Sequence, residues 1–229
     1  MTEQVAKKPK LEKTPKQIVC AVDIEAAGPR PEFPIIAIGV VIGDDEGNVI
    51  AKQKFCNAVP RDKFEKKCWD EFWSKNIASL EIIEKATAES STYSGMIHDF
   101  HQFLFGFQLR HGPFGRKHQN TVKFRFVSDN PAYDIGSINL EFYKCGINCS
   151  MATMFDDYVP TDDPSEQVAC LTPSQRAFVN SFVKTKHTHD PEDDAAEIYE
   201  LWCGVNYFLK HRVITKTEKG EEIVVIPHG

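Results

Sequence analysis

The run Ile18-Val19-Cys20-Ala21-Val22 constrains this chain more than any other feature. Five consecutive apolar residues suit a strand covered on both faces, so the rest of the chain must supply a layer on each side of a sheet. The run ends in Asp23 and Glu25. Two residues apart on a strand, both carboxylates project from one face, about 6.6 Å apart along the backbone. Charges of like sign at that distance repel and raise each other's pKa unless a cation neutralises them, and paired hard oxygens are what Mg²⁺ or Mn²⁺ prefers. The plainer alternative is a strand end that meets solvent. Gly28 and Pro29 then fit a chain that turns away sharply.

Further strands are expected at Ile35 to Ile42 and Val49 to Phe55, joined through the turn residues Asp44-Asp45-Glu46-Gly47-Asn48. Residues 62 to 110 lack strand alternation. Their clearest helix is Ser91 to Leu109, where Met96, Ile97, Phe100, Phe103, Leu104 and Phe107 recur at helical spacing as a core stripe. Val122 to Val127 alternates like a strand, and Asn130-Pro131 opens a helix that reaches Cys145 and stops at Gly146. Met151 to Phe155 is expected as a last sheet strand. Thr172-Pro173 opens a helix through Val183, and Asp190-Pro191 opens the final one, to about His211. Val213 to Lys216 and Ile223 to Ile226 read as a C-terminal hairpin. Strands first, then helices alternating with strands, indicate an α/β domain on a mixed sheet.

At 229 residues the chain is expected to form one domain over 17–211, with a tail at 1–16 and a hairpin extension at 212–229. The tail holds five lysines and two prolines and few apolar residues, so it is expected to be disordered, either simply solvated or a nuclear-import or nucleic-acid contact. A net charge of −6 argues against a broad basic face for duplex nucleic acid. No apolar run approaches the ~20 residues of a membrane span, and no secretory stretch opens the chain, so an intracellular protein, cytoplasmic or nuclear, is expected. The seven cysteines are scattered and odd in number, which favours reduced thiols. Cys145 and Cys149 lack a second Cys or His pair nearby, so no zinc site is read there.

Helical spacing separates buried acids from solvated ones. Asp134 shares its face with Ile138, Phe142 and Cys145, which puts its carboxylate on the apolar stripe. Asp129, on the preceding loop, is more simply a turn or capping residue. Asp194 aligns with Ile198, Leu201 and Val205 and points inward, whereas Asp193 aligns with Glu197 and Glu200 on the polar side. Asp190 reads as the helix cap, and acids in a first turn are commonly there for the helix dipole. His189, just before this helix, could act as a general base near neutral pH, with His187 as the neighbouring alternative. Arg110, Arg116 and Lys117 lie in or beside a Gly/Pro loop with Phe114 and His118. They are either ordinary solvated residues or phosphate and base contacts for a single strand.

Taken in order, Asp23-Ile24-Glu25-Ala26-Ala27-Gly28, Asn130-Pro131-Ala132-Tyr133-Asp134 and His189-Asp190-Pro191-Glu192-Asp193-Asp194-Ala195 resemble the three motifs of the DEDDh exonuclease family. Those motifs are DxExxG, NxxFD or NxxYD, and HxAxxDA. Pro191 replaces the usual alanine, and Ala26-Ala27 replace a frequent Thr-Thr. The resemblance implies a ribonuclease-H-like fold and 3′-to-5′ removal of nucleoside monophosphates from single-stranded nucleic acid or 3′ ends. It further implies that Asp23, Glu25, Asp134 and Asp194 hold two divalent cations, Mg²⁺ or Mn²⁺, and that His189 deprotonates the attacking water. The contrasting reading is a nuclease-fold binding module without chemistry, against which the complete acid set argues, because buried unpaired acids oppose folding. RNA and DNA substrates remain equally open.

Overall fold

The structure, a computed structural model, describes residues 16–87, 92–111, 122–154, 159–211, 213–216 and 222–225. Side chains are described throughout these except at 16, 108–111, 122–123 and in the last two segments. The expected tail therefore lies outside the described residues, apart from the backbone of Lys16.

Strand β1 (Lys16–Ala26) pairs antiparallel with β2 (Ile35–Asp44), which pairs antiparallel with β3 (Val49–Cys56). On its other side β1 runs parallel to β4 (Val122–Val127), and β4 runs parallel to β5 (Thr161–Asp162). The order β3-β2-β1-β4-β5 puts the apolar run at the centre of a mixed sheet. Both faces are covered, as an uninterrupted apolar strand requires. Ile18, Cys20, Val22 and Ile24 join one core with Phe100, Leu104, Ile138 and Phe142, contributed by α3 (Tyr93–His111) and α4 (Pro131–Lys144). Val19 and Ala21 face the other way, against Ala195, Ile198, Tyr199 and Trp202 of the last helix (Pro191–His211).

Two shorter helices, α1 (Lys66–Glu71) and α2 (Ile77–Ala86), precede α3, and α5 (Pro164–Ala169) and α6 (Pro173–Asn180) precede the last helix, α7. The α3 stripe is as expected: Met96, Ile97, Phe100, Leu104 and Phe107 are buried and Phe103 packs beside them. Helix α4 stops at the Cys145 cap, with Gly146 at φ 73°, where the left-handed backbone favours glycine. Helix α6 is shorter than expected, ending at Asn180 rather than Val183.

The strand expected over Met151 to Phe155 is not one. Met151–Thr153 is a single 3₁₀ turn, and Phe155 lies outside the described residues. Ser150 and Thr153 cap each other reciprocally, with Ser150 N–H donating to Thr153 Oγ1 at 3.1 Å, which closes a turn where the apolar residues alone would allow extension. The last sheet strand is instead β5, paired with Phe126 and Val127. Strands β6 (Val213–Lys216) and β7 (Glu222–Val225) pair antiparallel, and the residues joining them lie outside the described set. Among the described residues no helix is long and apolar enough to cross a membrane.

Two features of this sheet position the acids of β1 and their neighbours. First, β4 pairs with β1 only as far as Ala21, so residues 22–26 of β1 run on beyond their parallel neighbour, and the chain leaving β4 turns there into α4. Second, Gly39 pairs directly with Asp23, and a Cβ on it would lie 1.7 Å from the Pro191 carbonyl oxygen. The missing side chain lets the first turn of α7 rest on the sheet beside Asp23 and Glu25.

Candidate active site

Asp23 and Glu25 fall on the α7 face of β1, in register with Val19 and Ala21. Asp194, in the first turn of α7, is 2% exposed, and Asp134, in the first turn of α4, is 3% exposed. The inward direction that helical spacing assigns to both is the one they take. The structure brings all four acids to one end of the sheet. Carboxylate oxygens of Asp23, Glu25 and Asp194 lie within 4.8 Å of one another, and so do those of Asp23, Asp129 and Asp134. Asp23 belongs to both groups and stands between them. Among the described residues no lysine or arginine pairs with any of these four acids, and the only ion-pair partners of Glu25 and Asp194 are histidines.

Asp129 reads from the sequence as a turn residue, yet its carboxylate joins the cluster. Helical periodicity says nothing about a side chain on a loop. The only signal is its place just after the end of β4, beside Ser128.

Burial and mutual repulsion act together on these groups. Asp23 titrates well above the ordinary carboxylate range because it is desolvated, then because Glu25, Asp134 and Asp194 face it. Glu25 is raised by burial and by the charges of Asp194 and Asp134. Burial pushes Asp134 to about 7, although the Ser128 hydroxyl donates a hydrogen bond to it and works against the shift. Asp194 is also raised by burial, with the Thr188 N–H, donating at 2.9 Å, as the largest opposing influence. Four acids gathered this closely, with no lysine or arginine partner among the described residues, form a donor set of hard oxygens, which suits divalent cations.

His189 precedes α7 with φ 58°, a left-handed conformation for a residue with a side chain. Its ring stands edge-on to Phe72, centroids 4.8 Å apart, and edge-on to His187 at 4.6 Å. Its Nδ1 lies 3.8 Å from Glu25 Oε1. Burial, then the neighbouring His187, lowers its pKa, so the ring is neutral at neutral pH. Asp190 is the cap expected of it: its Oδ1 accepts the Glu192 N–H at 3.1 Å, and Lys54 Nζ reaches its Oδ2 at 2.5 Å from β3. His187 is not directed to Glu25. Its Nδ1 lies 3.3 Å from Asp194 Oδ1 and 3.5 Å from Glu197 Oε2.

Beside the acids opens a pocket of about 290 Å³ walled by Glu25, Gly28, Phe72, Trp73, Asn130 and Tyr133. Its floor turn is pinned twice. Trp73 Nε1 donates to the Ala26 carbonyl at 3.0 Å, and the Tyr133 hydroxyl donates to the Gly28 carbonyl at 2.6 Å. Gly28 has no room for a side chain, since a Cβ would meet the Phe33 ring at 2.5 Å. Phe72 and Trp73 carry no signal in the sequence, because they sit on short turns without periodicity. Arg110 lies in the last turn of α3, but its side chain, like Arg116 and Lys117 altogether, is outside the described residues.

A five-stranded mixed sheet flanked by helices, with acids gathered at the end of its central strand, is an α/β fold of the ribonuclease-H-like kind. The sequence matches no family model and no curated protein. Among solved structures, the zinc-bound E. coli exonuclease I–ssDNA complex is similar at TM-score 0.52 and 15% identity, over 87% of this chain and 43% of that one. A second exonuclease I structure gives 0.53 at 14% identity, over 87% of this chain and 44% of that chain. Cell-death related nuclease 4 gives 0.49 at 16% identity, over 89% and 69%. At such identities the likeness is one of fold, and this chain spans less than half the length of the exonuclease I chains.

Proposed function

We propose that the chain is a metal-dependent exonuclease of the DEDDh type that releases nucleoside 5′-monophosphates from the 3′ end of single-stranded nucleic acid. The observation that carries this reading is the convergence of Asp23, Glu25, Asp134 and Asp194 at one end of the sheet, unpaired with lysine or arginine among the described residues, with Glu25 also lining the aromatic-walled pocket. These acids would hold two divalent cations, Mg²⁺ or Mn²⁺, with Asp129 as an adjoining ligand. When bound, such a pair polarises water and offsets charge on a leaving 3′ oxygen.

The chain's own residues supply the rest. His189 accepts the proton of the attacking water, for which its lowered pKa suits it, since an unprotonated ring is available at neutral pH. Phe72 holds that ring edge-on and limits its rotation. Tyr133 and Trp73 fix the Ala26–Gly28 turn, so the pocket wall is set before substrate arrives. At about 290 Å³ the pocket suits a single terminal nucleotide, with a base or sugar against its aromatic walls. The exonuclease I structures, which include complexes with ssDNA and with product, support a single strand as the substrate. Arg110, Arg116 and Lys117 are proposed as phosphate contacts for longer strands.

Digestion of end-labelled single-stranded RNA and DNA side by side, with Mg²⁺, with Mn²⁺ and with EDTA, tests the reading and reports sugar preference. The expected result is stepwise shortening from the 3′ end, abolished by EDTA and by Asp23→Asn. No product from either strand with either metal would refute it.

A further inference from the structure

We propose that His187, His189 and Asp194, with Glu197 beside them, form a second metal site, selective for a borderline cation such as Zn²⁺, whose occupation silences hydrolysis. One ring nitrogen of each histidine and one oxygen of Asp194 lie within 4.8 Å of one another. Three atoms no farther apart share a centre within about 2.8 Å of each, so small side-chain rotations reach the Zn–N and Zn–O lengths of about 2.0–2.2 Å. His187 Nδ1 already stands 3.3 Å from Asp194 Oδ1 and 3.5 Å from Glu197 Oε2, near the ~3.4 Å edge of a tetrahedron with those bond lengths. On the side of His187, Asp194 and Glu197 away from His189 lies a recess of about 90 Å³, also bordered by Asp129. It has room for an ion with one or two waters at about 30 Å³ each. The His187 side chain is 55% exposed and gives the ion a way in, whereas that of Asp194 is 3% exposed.

Donor chemistry separates this site from the all-oxygen one. Mg²⁺ keeps to carboxylates and water, while imidazole favours zinc and its neighbours. As ligands imidazoles bind unprotonated, so the carboxylates of Asp194 and Glu197 would balance a double positive charge. The effect on hydrolysis follows from shared members and rests on the function proposed above. A cation held by His189 occupies a ring nitrogen lone pair of the residue that receives the proton, and it draws Asp194 from the oxygen set.

The test uses Co²⁺ as a spectroscopic probe in an Asp23→Asn, Glu25→Gln background that removes two acids of the other site. A saturable visible band, displaced by about one equivalent of Zn²⁺ and at least tenfold weaker in affinity after His187→Ala, is expected, with a smaller weakening for Glu197→Gln. In Mg²⁺-supported digestion by the otherwise unaltered chain, His187→Ala should raise the half-inhibiting Zn²⁺ concentration at least tenfold, each protein normalised to its own zinc-free rate. Unchanged cobalt affinity in His187→Ala overturns the site. An intact cobalt site without zinc inhibition overturns its effect on hydrolysis. Absence of any hydrolysis would refute the nuclease reading instead, and the cobalt titration would still decide this one.

Discussion

Replacing Gly39 by alanine should inactivate the protein while leaving it folded. The added Cβ would lie 1.7 Å from Pro191 O, 2.0 Å from Pro191 C and 2.6 Å from Glu192 N, whereas ordinary contact begins near 3.4 Å. These are backbone atoms, which cannot swing aside, so the first turn of α7 must lift by about 1.7 Å, the difference between those two distances. That turn carries Asp194 and follows His189 directly, and both face β1 across this gap. Misplacement of reacting groups by about 1 Å costs roughly 10²-fold in rate, and overpacking costs about 1–3 kcal/mol of stability. At about 2–4 °C per kcal/mol for a chain of this size, Tm should fall by roughly 2–12 °C. Single-turnover digestion of a labelled oligonucleotide at saturating Mg²⁺, with thermal unfolding in parallel, measures both. Gly43→Ala is the control. Its Cβ would meet the Tyr199 hydroxyl at 2.1 Å, on the same helix but farther from the acids, so stability should fall while the rate stays within a few-fold. Wild-type turnover in Gly39→Ala, or equal inactivation of both variants, would show that the close approach of α7 does not set the site.

Three further outcomes are expected. Asp134 titrates near 7 when folded against 3.8 as a free side chain, so between those values the folded state binds the extra proton, and metal-free stability falls as pH rises through the window. By this group alone the loss is at most about 4 kcal/mol, and urea unfolding in EDTA should show Asp134→Asn overtaking the wild type between roughly pH 4 and 7; a pH-independent gap would contradict the burial argument. His189→Ala should lower turnover by roughly 10²–10⁴-fold while the Tm increase on adding Mg²⁺ persists, and inactivity of His187→Ala beside an active His189→Ala would assign the base to the other ring. Asp129→Asn should raise the Mn²⁺ concentration needed for half-maximal rate several-fold, and an unchanged metal dependence would leave Asp129 a turn residue.

Much of this arrangement is legible in the sequence because helices and strands are periodic. Asp134 and Asp194 stand out as polar residues on apolar stripes, and the same periodicity that packs Ile138 and Ile198 inward carries the carboxylates with them. Asp23 and Glu25 are legible because the apolar run before them already demands a covered strand. Where the backbone has no period, the sequence is silent. Phe72 and Trp73 lie on short turns whose directions are set by tertiary bonds such as Trp73 Nε1 to Ala26 O, and Asp129 lies in a loop. The short apolar segment at Met151–Met154 misleads for a related reason, since a capping pair of polar side chains decides that turn.

The legible residues are also those that oppose folding. A buried acid on an apolar stripe is conspicuous in the sequence because burial disfavours its charge, and that same penalty appears as the raised pKa of Asp23, Glu25, Asp134 and Asp194. The pocket walls oppose nothing. Phe72, Trp73 and Tyr133 would pack equally well in a chain without a site, so their part in one is visible only once the β1 acids stand beside them. Conspicuousness in the sequence and instability without a cation are therefore two consequences of one desolvation. Amide substitutions at the four acids should accordingly stabilise the metal-free chain wherever they remove a charge, and should do nothing of the kind at Phe72 or Trp73.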